Sequence, residues 1–220
     1  MKVYYQDDYC TIYHGDCREI LPTLPKVDAV ITDPPYNVGK DYGTHNDNMA
    51  ADEYAGWSKQ CVELSRDRAD NQFWVAPRYK LELWISLLSG AHLIVIPRGA
   101  SGPLRQGWAD QFEIALCIGN PKTHVSDLWK GIRLKGEGYF FTEETWGHPG
   151  YTPYPIMAKA ISLLTTDSVL DPFCGTGTTL RAAKDQNRKA IGIEINEAYC
   201  EIAAKRMQQE VLGLSTPSPA

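Results

Sequence analysis

The sequence lacks the features of a secreted, membrane-bound or metal-dependent protein. Its six cysteines are scattered with no Cys-x-x-Cys pair, which argues against a zinc site or a disulfide framework and favours reduced thiols. No apolar run is long enough to span a membrane, and the first eight residues show no signal-peptide pattern. We therefore expect a cytoplasmic protein that uses no metal and contacts no membrane.

Positive charge is also scarce, since 22 Lys and Arg stand against 27 Asp and Glu, a net charge of −5. Proteins that bind nucleic acid usually carry a basic surface, so this charge argues against a strong non-specific grip on phosphate. It does not exclude a local basic cleft. The length and apolar content predict one globular domain, residues 1–213, with a disordered tail at 214–220.

The most informative stretch is Asp33-Pro34-Pro35-Tyr36, which follows the β-branched run 27–32. That run predicts a buried strand, and ligands of open α/β sheets bind at the carboxyl ends of strands. The two prolines make the turn stiff because each fixes its own φ. The Asp33 side chain and the Pro34 carbonyl can accept hydrogen bonds from both hydrogens of an exocyclic amino group, and Tyr36 offers a ring for stacking. The alternative is an ordinary strand-ending turn.

A second unit combines a strand at 168–170, a glycine-containing turn, a helix to residue 187 and a strand at 190–193 that ends at Glu194. The turn reads Asp171-Pro172-Phe173-Cys174-Gly175-Thr176-Gly177-Thr178-Thr179. Its glycines permit close approach to a ligand, and Glu194 has the spacing of an acid that bonds ribose hydroxyls. The turn lacks the third glycine of the dinucleotide fingerprint and the Gly-Lys-Ser/Thr of a P-loop. It predicts a nucleoside-binding βαβ unit.

Two loops and one short helix add candidate site residues. Asp16 follows a strand at 11–14 and can reach a ligand, cap the next helix with Glu19, or do both. Residues 37–48 are polar and non-periodic, which predicts a mobile loop over the site. Residues 98–107 predict a second, basic loop.

The remaining periodicity predicts a chain of alternating elements. Helices are expected at 52–69, 78–88, 156–165 and 196–210, and strands at 72–76, 92–96 and 111–118. From residue 120 to 147 the pattern weakens, and basic residues are interleaved with aromatics, as suits nucleic acid. The segment also contains three glutamates, so a surface segment that does not bind nucleic acid is an equal alternative.

Asp33-Pro34-Pro35-Tyr36 and the Asp-Pro-Phe-x-Gly-x-Gly turn together resemble the amino-directed DNA methyltransferases that use S-adenosylmethionine. The catalytic motif precedes the cofactor motif, which is the order of their β subgroup, and the similarity covers nearly the whole chain. It implies an α/β, Rossmann-like methyltransferase fold with a mostly parallel central sheet, helices on both faces and a circularly permuted motif order. It also implies a catalytic half at 1–118, a short target-recognition segment at 120–147 and a cofactor half at 148–210.

The resemblance assigns roles residue by residue, with S-adenosyl-L-methionine as the cofactor. Asp16 would meet the adenine of the cofactor and Glu194 its ribose, while Tyr154 stands where the family commonly has Lys. The full cofactor set is Asp16, Cys17, Asp33, Thr152, Asp171, Phe173, Cys174, Gly175, Thr176, Gly177, Thr178, Thr179 and Glu194. Phe173 has core packing as an alternative, and Cys174 is expected to pack. The DNA-binding set is Lys40, Arg98, Arg105, Lys122, Lys130, Arg133 and Lys135.

The implied reaction is methyl transfer to the N6 amino group of adenine in double-stranded DNA, after the base has left the duplex. Asp33, Pro34, Pro35 and Tyr36 would be the catalytic residues. Aspartate in the first motif position favours adenine; the alternatives are N4-cytosine methylation, an RNA or protein-glutamine substrate, and a partner subunit that binds the cofactor without turnover. A homodimer and a place in a restriction–modification system are further expectations.

Overall fold

A computed structural model describes residues 2–40, 47–97, 112–123, 125–129, 154–165 and 167–209. Their strands form one sheet in the order β1-β2-β8-β7-β3-β4-β6-β5. The strands are β1 (Lys2–Gln6), β2 (Cys10–His14), β3 (Ala29–Thr32), β4 (Asn71–Ala76), β5 (His92–Pro97), β6 (Phe112–Ile118), β7 (Ser168–Asp171) and β8 (Lys189–Glu194).

Five neighbouring strands, β2, β8, β7, β3 and β4, are parallel, so the prediction of a mostly parallel central sheet is confirmed. β1 is antiparallel to β2, and β6 is antiparallel to both β4 and β5. All four residues of β3 are buried, as expected for a central strand covered on both faces.

Helices lie on both faces of the sheet, again as predicted. They are α1 (Cys17–Ile20), α2 (Ala51–Arg66), α3 (Leu81–Leu87), α4 (Tyr154–Leu164), α5 (Thr178–Lys184) and α6 (Glu197–Gln208). Strand alternation divides the core between the faces: Ile31 and Phe73 pack with α4, α5 and α6, whereas Val30 and Trp74 pack with α1, α2 and α3. Among the described residues, no helix is long and apolar enough to cross a membrane.

Every predicted strand and helix is present within the described ranges, with altered ends. The segment predicted as one helix at 78–88 begins as a 3-10 turn, Arg78–Lys80, before α3, and residues 21–23 form another 3-10 turn after α1. β1 was not predicted. It pairs with β2 because the Asp7 carboxylate accepts hydrogen bonds from the backbone N–H groups of Tyr9, at 2.8 Å, and Cys10, at 2.6 Å, and so closes the hairpin between them.

Candidate active site

Four acids follow or end four adjacent parallel strands at one edge of the sheet. In sheet order they are Asp16 after β2, Glu194 at the end of β8, Asp171 at the end of β7 and Asp33 after β3. Strands lie about 4.8 Å apart, so this row is about 15 Å long. We call these four residues the acidic row. It brings together residues that are more than 170 positions apart in the chain, because β7 and β8 insert between β2 and β3.

A side-chain hydrogen bond joins the two motifs directly. Thr32, the last residue of β3, donates from Oγ1 to Asp171 Oδ1 at 2.6 Å, and the backbone N–H of Phe173 donates to the same oxygen at 3.0 Å. Burial raises the pKa of Asp171 to about 6, the hydrogen bonds from Thr179 and Thr32 oppose that shift, and the charge of Asp33 adds to it. We call residues 33–36 the catalytic turn and residues 171–179 the cofactor turn, after the roles predicted from the sequence. The two turns therefore share one electrostatic environment.

The catalytic turn leaves β3 with Asp33 half-buried, its Oδ1 shielded from solvent, and Pro34 buried. The hydroxyl of Tyr54, on α2, donates to the carbonyl of Pro35 at 3.0 Å. Burial raises the pKa of Tyr54 to about 12, so the hydroxyl stays protonated as a donor. Tyr36 is half-buried and packs against the core on the α4 side of the sheet.

The cofactor turn places both of its glycines in the left-handed region, with φ of 49° at Gly175 and 84° at Gly177. Glu194 accepts from the backbone N–H of Gly175 at 2.9 Å through Oε2, and from that of Asn196 at 2.7 Å through Oε1. Burial raises the pKa of Glu194 to about 7, and these hydrogen bonds oppose the shift. Each oxygen keeps acceptor capacity for a further donor.

Helix α6 holds the same turn from behind. The guanidinium of Arg206 is buried and donates to the carbonyl of Thr176 at 2.8 Å, with longer contacts to the hydroxyls of Thr176 and Thr178 at 3.4 and 3.5 Å. A Cβ at Gly177 would stand 3.1 Å from that of Ala203, so the glycine also permits close packing of α6.

Asp16 caps α1, which confirms the capping interpretation: its Oδ1 accepts from the backbone N–H of Arg18 at 2.8 Å, and the Arg18 guanidinium forms an ion pair with Oδ2 at 2.6 Å. The N–H of Gly15 donates to the Glu194 carbonyl at 2.9 Å, so Asp16 lies beside Glu194. Cys17 is buried with its Sγ 3.8 Å from Cys61 Sγ, directed towards α2.

Two other residues of the cofactor turn pack into the core. The ring of Phe173 lies 5.4 Å from that of Trp57 and 6.4 Å from that of Trp74, centroid to centroid, which supports its packing role. Cys174 is buried, and burial raises the pKa of its thiol well above the ordinary value. A protonated, enclosed thiol is a poor nucleophile.

Of the seven predicted DNA-binding residues, the structure describes Lys40 and Lys122, and it does not bring these two together. Lys40 is half-buried at the site edge, and its backbone N–H donates to Asp47. Lys122 follows β6, which is antiparallel to β4, and therefore lies at the opposite edge of the sheet from Asp33; its amino group donates to the carbonyl of Thr165. Its position gives no support to a DNA contact. The remaining predicted residues lie outside the described ranges: Arg98, Arg105, Lys130, Arg133, Lys135 and, for the cofactor, Thr152.

Sequence reasoning missed Tyr54 and Arg206, which each contact one of the two turns, and Asp47, which binds the residues that follow Tyr36. Tyr54 and Arg206 lie at helical positions that also fit a core face or an amphipathic surface, and Asp47 lies in a polar loop with no periodicity. An acid placed eleven positions after Tyr36 carries no local signal of its contacts. Within the described ranges, no group of three or more His, Cys, Asp and Glu side chains is arranged to hold a metal ion.

Comparison with known proteins agrees with this geometry. The sequence model of a family described as DNA methylase matches residues 110–205. The type II methyltransferase M.ScaI of Streptomyces caespitosus is 25% identical over 97% of this chain and 86% of its own length. The M1.HpyAVI–SAM complex is 25% identical with a TM-score of 0.67, covering 91% of this chain and all of that one.

The fold is shared with a cytosine-N4-specific enzyme, the PvuII DNA methyltransferase. Its TM-score is 0.73 over 96% of this chain and 91% of that one, at 19% identity. The chain is thus similar in sequence and in fold to known DNA methyltransferases, and the predicted resemblance to the amino-directed DNA methyltransferases is confirmed.

Proposed function

We propose that this chain transfers the methyl group of S-adenosylmethionine to the N6 amino group of adenine in double-stranded DNA. The observation that carries the proposal is the hydrogen bond from Thr32 to Asp171, which holds the end of the catalytic strand against the end of the cofactor strand. A methyl donor in the cofactor turn and an amino acceptor at Asp33 would then meet across one strand spacing.

The acidic row fits the cofactor in order and in charge. Along the sheet, the adenine of the cofactor would lie at Asp16, the ribose at Glu194 and the methionine part at Asp171, with the target base at Asp33. S-adenosylmethionine carries a sulfonium and an ammonium cation, and neighbouring carboxylates stabilise such charges. Ribose hydroxyls would donate to the remaining acceptor sites of Glu194, whose pKa of about 7 without such donors would fall.

Catalysis by this chain is mainly positioning and electrostatics. The carboxylate of Asp33 and the carbonyl of Pro34 would accept hydrogen bonds from the two hydrogens of the target amino group. This draws the nitrogen lone pair out of conjugation and directs it along the sheet edge. Tyr36 would stack on the base once it has left the duplex. The cofactor would supply an electrophilic methyl group, keep the electron pair of the broken sulfur–methyl bond and leave as S-adenosylhomocysteine. The methylated nitrogen would then lose one proton to water.

Adenine is proposed as the target because aspartate occupies the first position of the catalytic motif. The alternative is the N4 amino group of cytosine, since the same fold carries a cytosine-N4-specific enzyme. With a net charge of −5, the chain is expected to hold DNA with a local basic surface and to lose affinity steeply as salt increases. We further propose that residues 1–213 form a single domain, that the protein is a homodimer and that it belongs to a restriction–modification system.

The test is incubation with labelled S-adenosylmethionine and unmodified duplex DNA, followed by digestion and mass spectrometry of the nucleosides. We expect N6-methyldeoxyadenosine. Asp33→Ala should lower the transfer rate at least about a hundredfold while much of the cofactor binding remains, because it removes an acceptor that acts on the target nitrogen. Asp70→Ala, an exposed acid just before β4 at the far edge of the sheet, is the matched control and should transfer at the wild-type rate.

N4-methyldeoxycytidine as the product would keep the mechanism and correct the base. Full turnover by Asp33→Ala would disprove the mechanism. Cofactor binding by the wild type without methylation of any DNA would shift the assignment to RNA, protein or a non-catalytic partner subunit.

A further inference from the structure

The loop that leaves the catalytic turn is closed at its base by six hydrogen bonds between residues 37–40 and 47–49, which we call the loop base. The Asp47 carboxylate accepts from the backbone N–H groups of Asn37 at 2.7 Å, Val38 at 3.0 Å and Lys40 at 2.9 Å. The Asp47 carbonyl accepts from Gly39 N–H at 2.8 Å. The Asn37 side chain exchanges two hydrogen bonds with the backbone of Met49, at 2.6 and 3.0 Å. The two ends of a segment predicted to be mobile are therefore fixed to each other.

Asp47 is the centre of this arrangement. The residue is 2% exposed, so its carboxylate is removed from water and depends on the protein for its hydrogen bonds. Three convergent N–H donors satisfy it with charge-assisted bonds, which are stronger than neutral ones. They also hold Asn37 in the left-handed region, with φ of 55°, a conformation that a non-glycine residue adopts at a cost. Asn37 is the residue directly after Tyr36.

Tyr54 fixes the other side of the same residue. Its hydroxyl donates to the carbonyl of Pro35, immediately before Tyr36, and its ring is buried on α2. Tyr36 is thus held between two side chains that do not belong to the motif: Tyr54 acts on the peptide before it and Asp47 on the peptide after it. Neither hydrogen bond involves the cofactor turn, which is bound instead by Thr32, Glu194 and Arg206.

We propose that Asp47 and Tyr54 are positioning residues that fix the direction of Tyr36 and, through it, the pose of the target base. This role rests on the proposed function. Misplacement of a reacting group by about 1 Å can cost about a hundredfold in rate, so such residues should affect turnover more than cofactor binding. A residue that only stabilised the fold would lower both together.

The variants are Asp47→Asn, which keeps the shape but replaces one acceptor oxygen by a donor facing N–H groups, and Tyr54→Phe, which removes one hydroxyl and keeps the ring. Asp52→Asn is the matched control, because it makes the same chemical change at an exposed acid in the first turn of α2. Turnover is measured with labelled S-adenosylmethionine and unmodified duplex DNA at saturation, and cofactor Kd by calorimetry.

We expect Asp47→Asn to lower kcat by about ten- to a hundredfold and Tyr54→Phe several-fold, each with cofactor Kd within about twofold of wild type. In combination with Tyr36→Ala, Asp47→Asn should add little further loss, because both changes act through the same ring. Asp52→Asn should match the wild type.

The positioning role is overturned if Asp47→Asn keeps wild-type kcat, if it loses cofactor affinity in proportion to kcat, or if its effect multiplies fully with that of Tyr36→Ala. If Asp47→Asn does not fold, Tyr54→Phe is the test of the positioning role. A wild-type kcat in Tyr54→Phe would then contradict that role. A wild type that methylates no DNA disproves the proposed function, and this role falls with it; an active wild type with an equally active Asp47→Asn disproves this role alone.

Discussion

Three ionisable side chains surround the cofactor turn: Asp171 and Arg206 are buried, and Glu194 is half-buried. The two acids accept backbone N–H groups of the turn, and Arg206 donates to its Thr176 carbonyl. Burial lowers the pKa of Arg206 to about 10, which leaves it charged at neutral pH. The acids were evident from the motif, because each ends a predicted strand. Arg206 was not, since a lone arginine on a helix is usually solvated.

Arg206→Met should weaken cofactor binding about tenfold and lower the free energy of unfolding by about 2 kcal/mol, because the buried Thr176 carbonyl loses its donor. Calorimetry with S-adenosylmethionine and chemical denaturation measure the two effects.

Lys205→Met is the control for this prediction. Lys205 is the neighbouring residue, and its exposed ion pair with Glu201, at 2.6 Å, should contribute little to stability. We expect the stability of that variant to match the wild type. Wild-type cofactor affinity in Arg206→Met would show that the turn keeps its shape without α6.

Among the elements, β8 approaches the cofactor turn so closely that one position admits no side chain. A Cβ at Gly192 would stand 2.7 Å from Cδ1 of Leu180, on α5, and 2.8 Å from Sγ of Cys174. Gly56 differs because it lies inside α2 and has room for a side chain: a Cβ added there would have no atom within 4 Å. Both glycines interrupt predicted elements, and the sequence does not distinguish them.

Alanine substitutions at these two glycines should change the stability of the protein in opposite directions. Gly192→Ala should destabilise the protein by about 1–3 kcal/mol, because the strand or the turn must shift to relieve the overlap. Gly56→Ala should stabilise it by up to about 1 kcal/mol, because alanine loses less backbone entropy in a helix. Urea denaturation measures both changes. A neutral Gly192→Ala would mean that β8 and α5 separate easily.

On the scale of the whole molecule, the sheet interleaves the two halves of the chain. The cofactor half supplies β7 and β8, which pair with each other and lie between β2 and β3 of the catalytic half, so the catalytic half alone has no continuous sheet. This arrangement supports the proposal of one domain and predicts one cooperative unfolding transition.

Tryptophan fluorescence tests that cooperativity, because all six tryptophans lie between residues 57 and 146 and none in the cofactor half. Gly192→Ala lies in the cofactor half, yet it should shift the fluorescence midpoint in urea by as much as the midpoint of far-ultraviolet circular dichroism. A fluorescence midpoint that stayed at the wild-type value would show that the two halves unfold separately.

The sequence by itself determined the two motifs and the alternation of strands and helices, and the resemblance of the motifs to a known family implied the mostly parallel sheet. The motifs and the alternation depend on local chemistry: β-branched runs form buried strands, glycines allow the left-handed turn at 175–177, and proline stiffens the turn after β3. The side of the sheet on which each acid lies also follows, because parallel strands share a carboxyl edge.

Only the tertiary structure decided which side chains hold those motifs in place. The hydrogen bond between Thr32 and Asp171 spans 139 positions, and the contacts of Arg206 and Tyr54 cross from helices to turns. Asp47 is close in sequence to the residues it binds, but its contacts depend on a loop that has no periodic pattern. Such contacts depend on sheet order and helix packing, which local propensity does not specify.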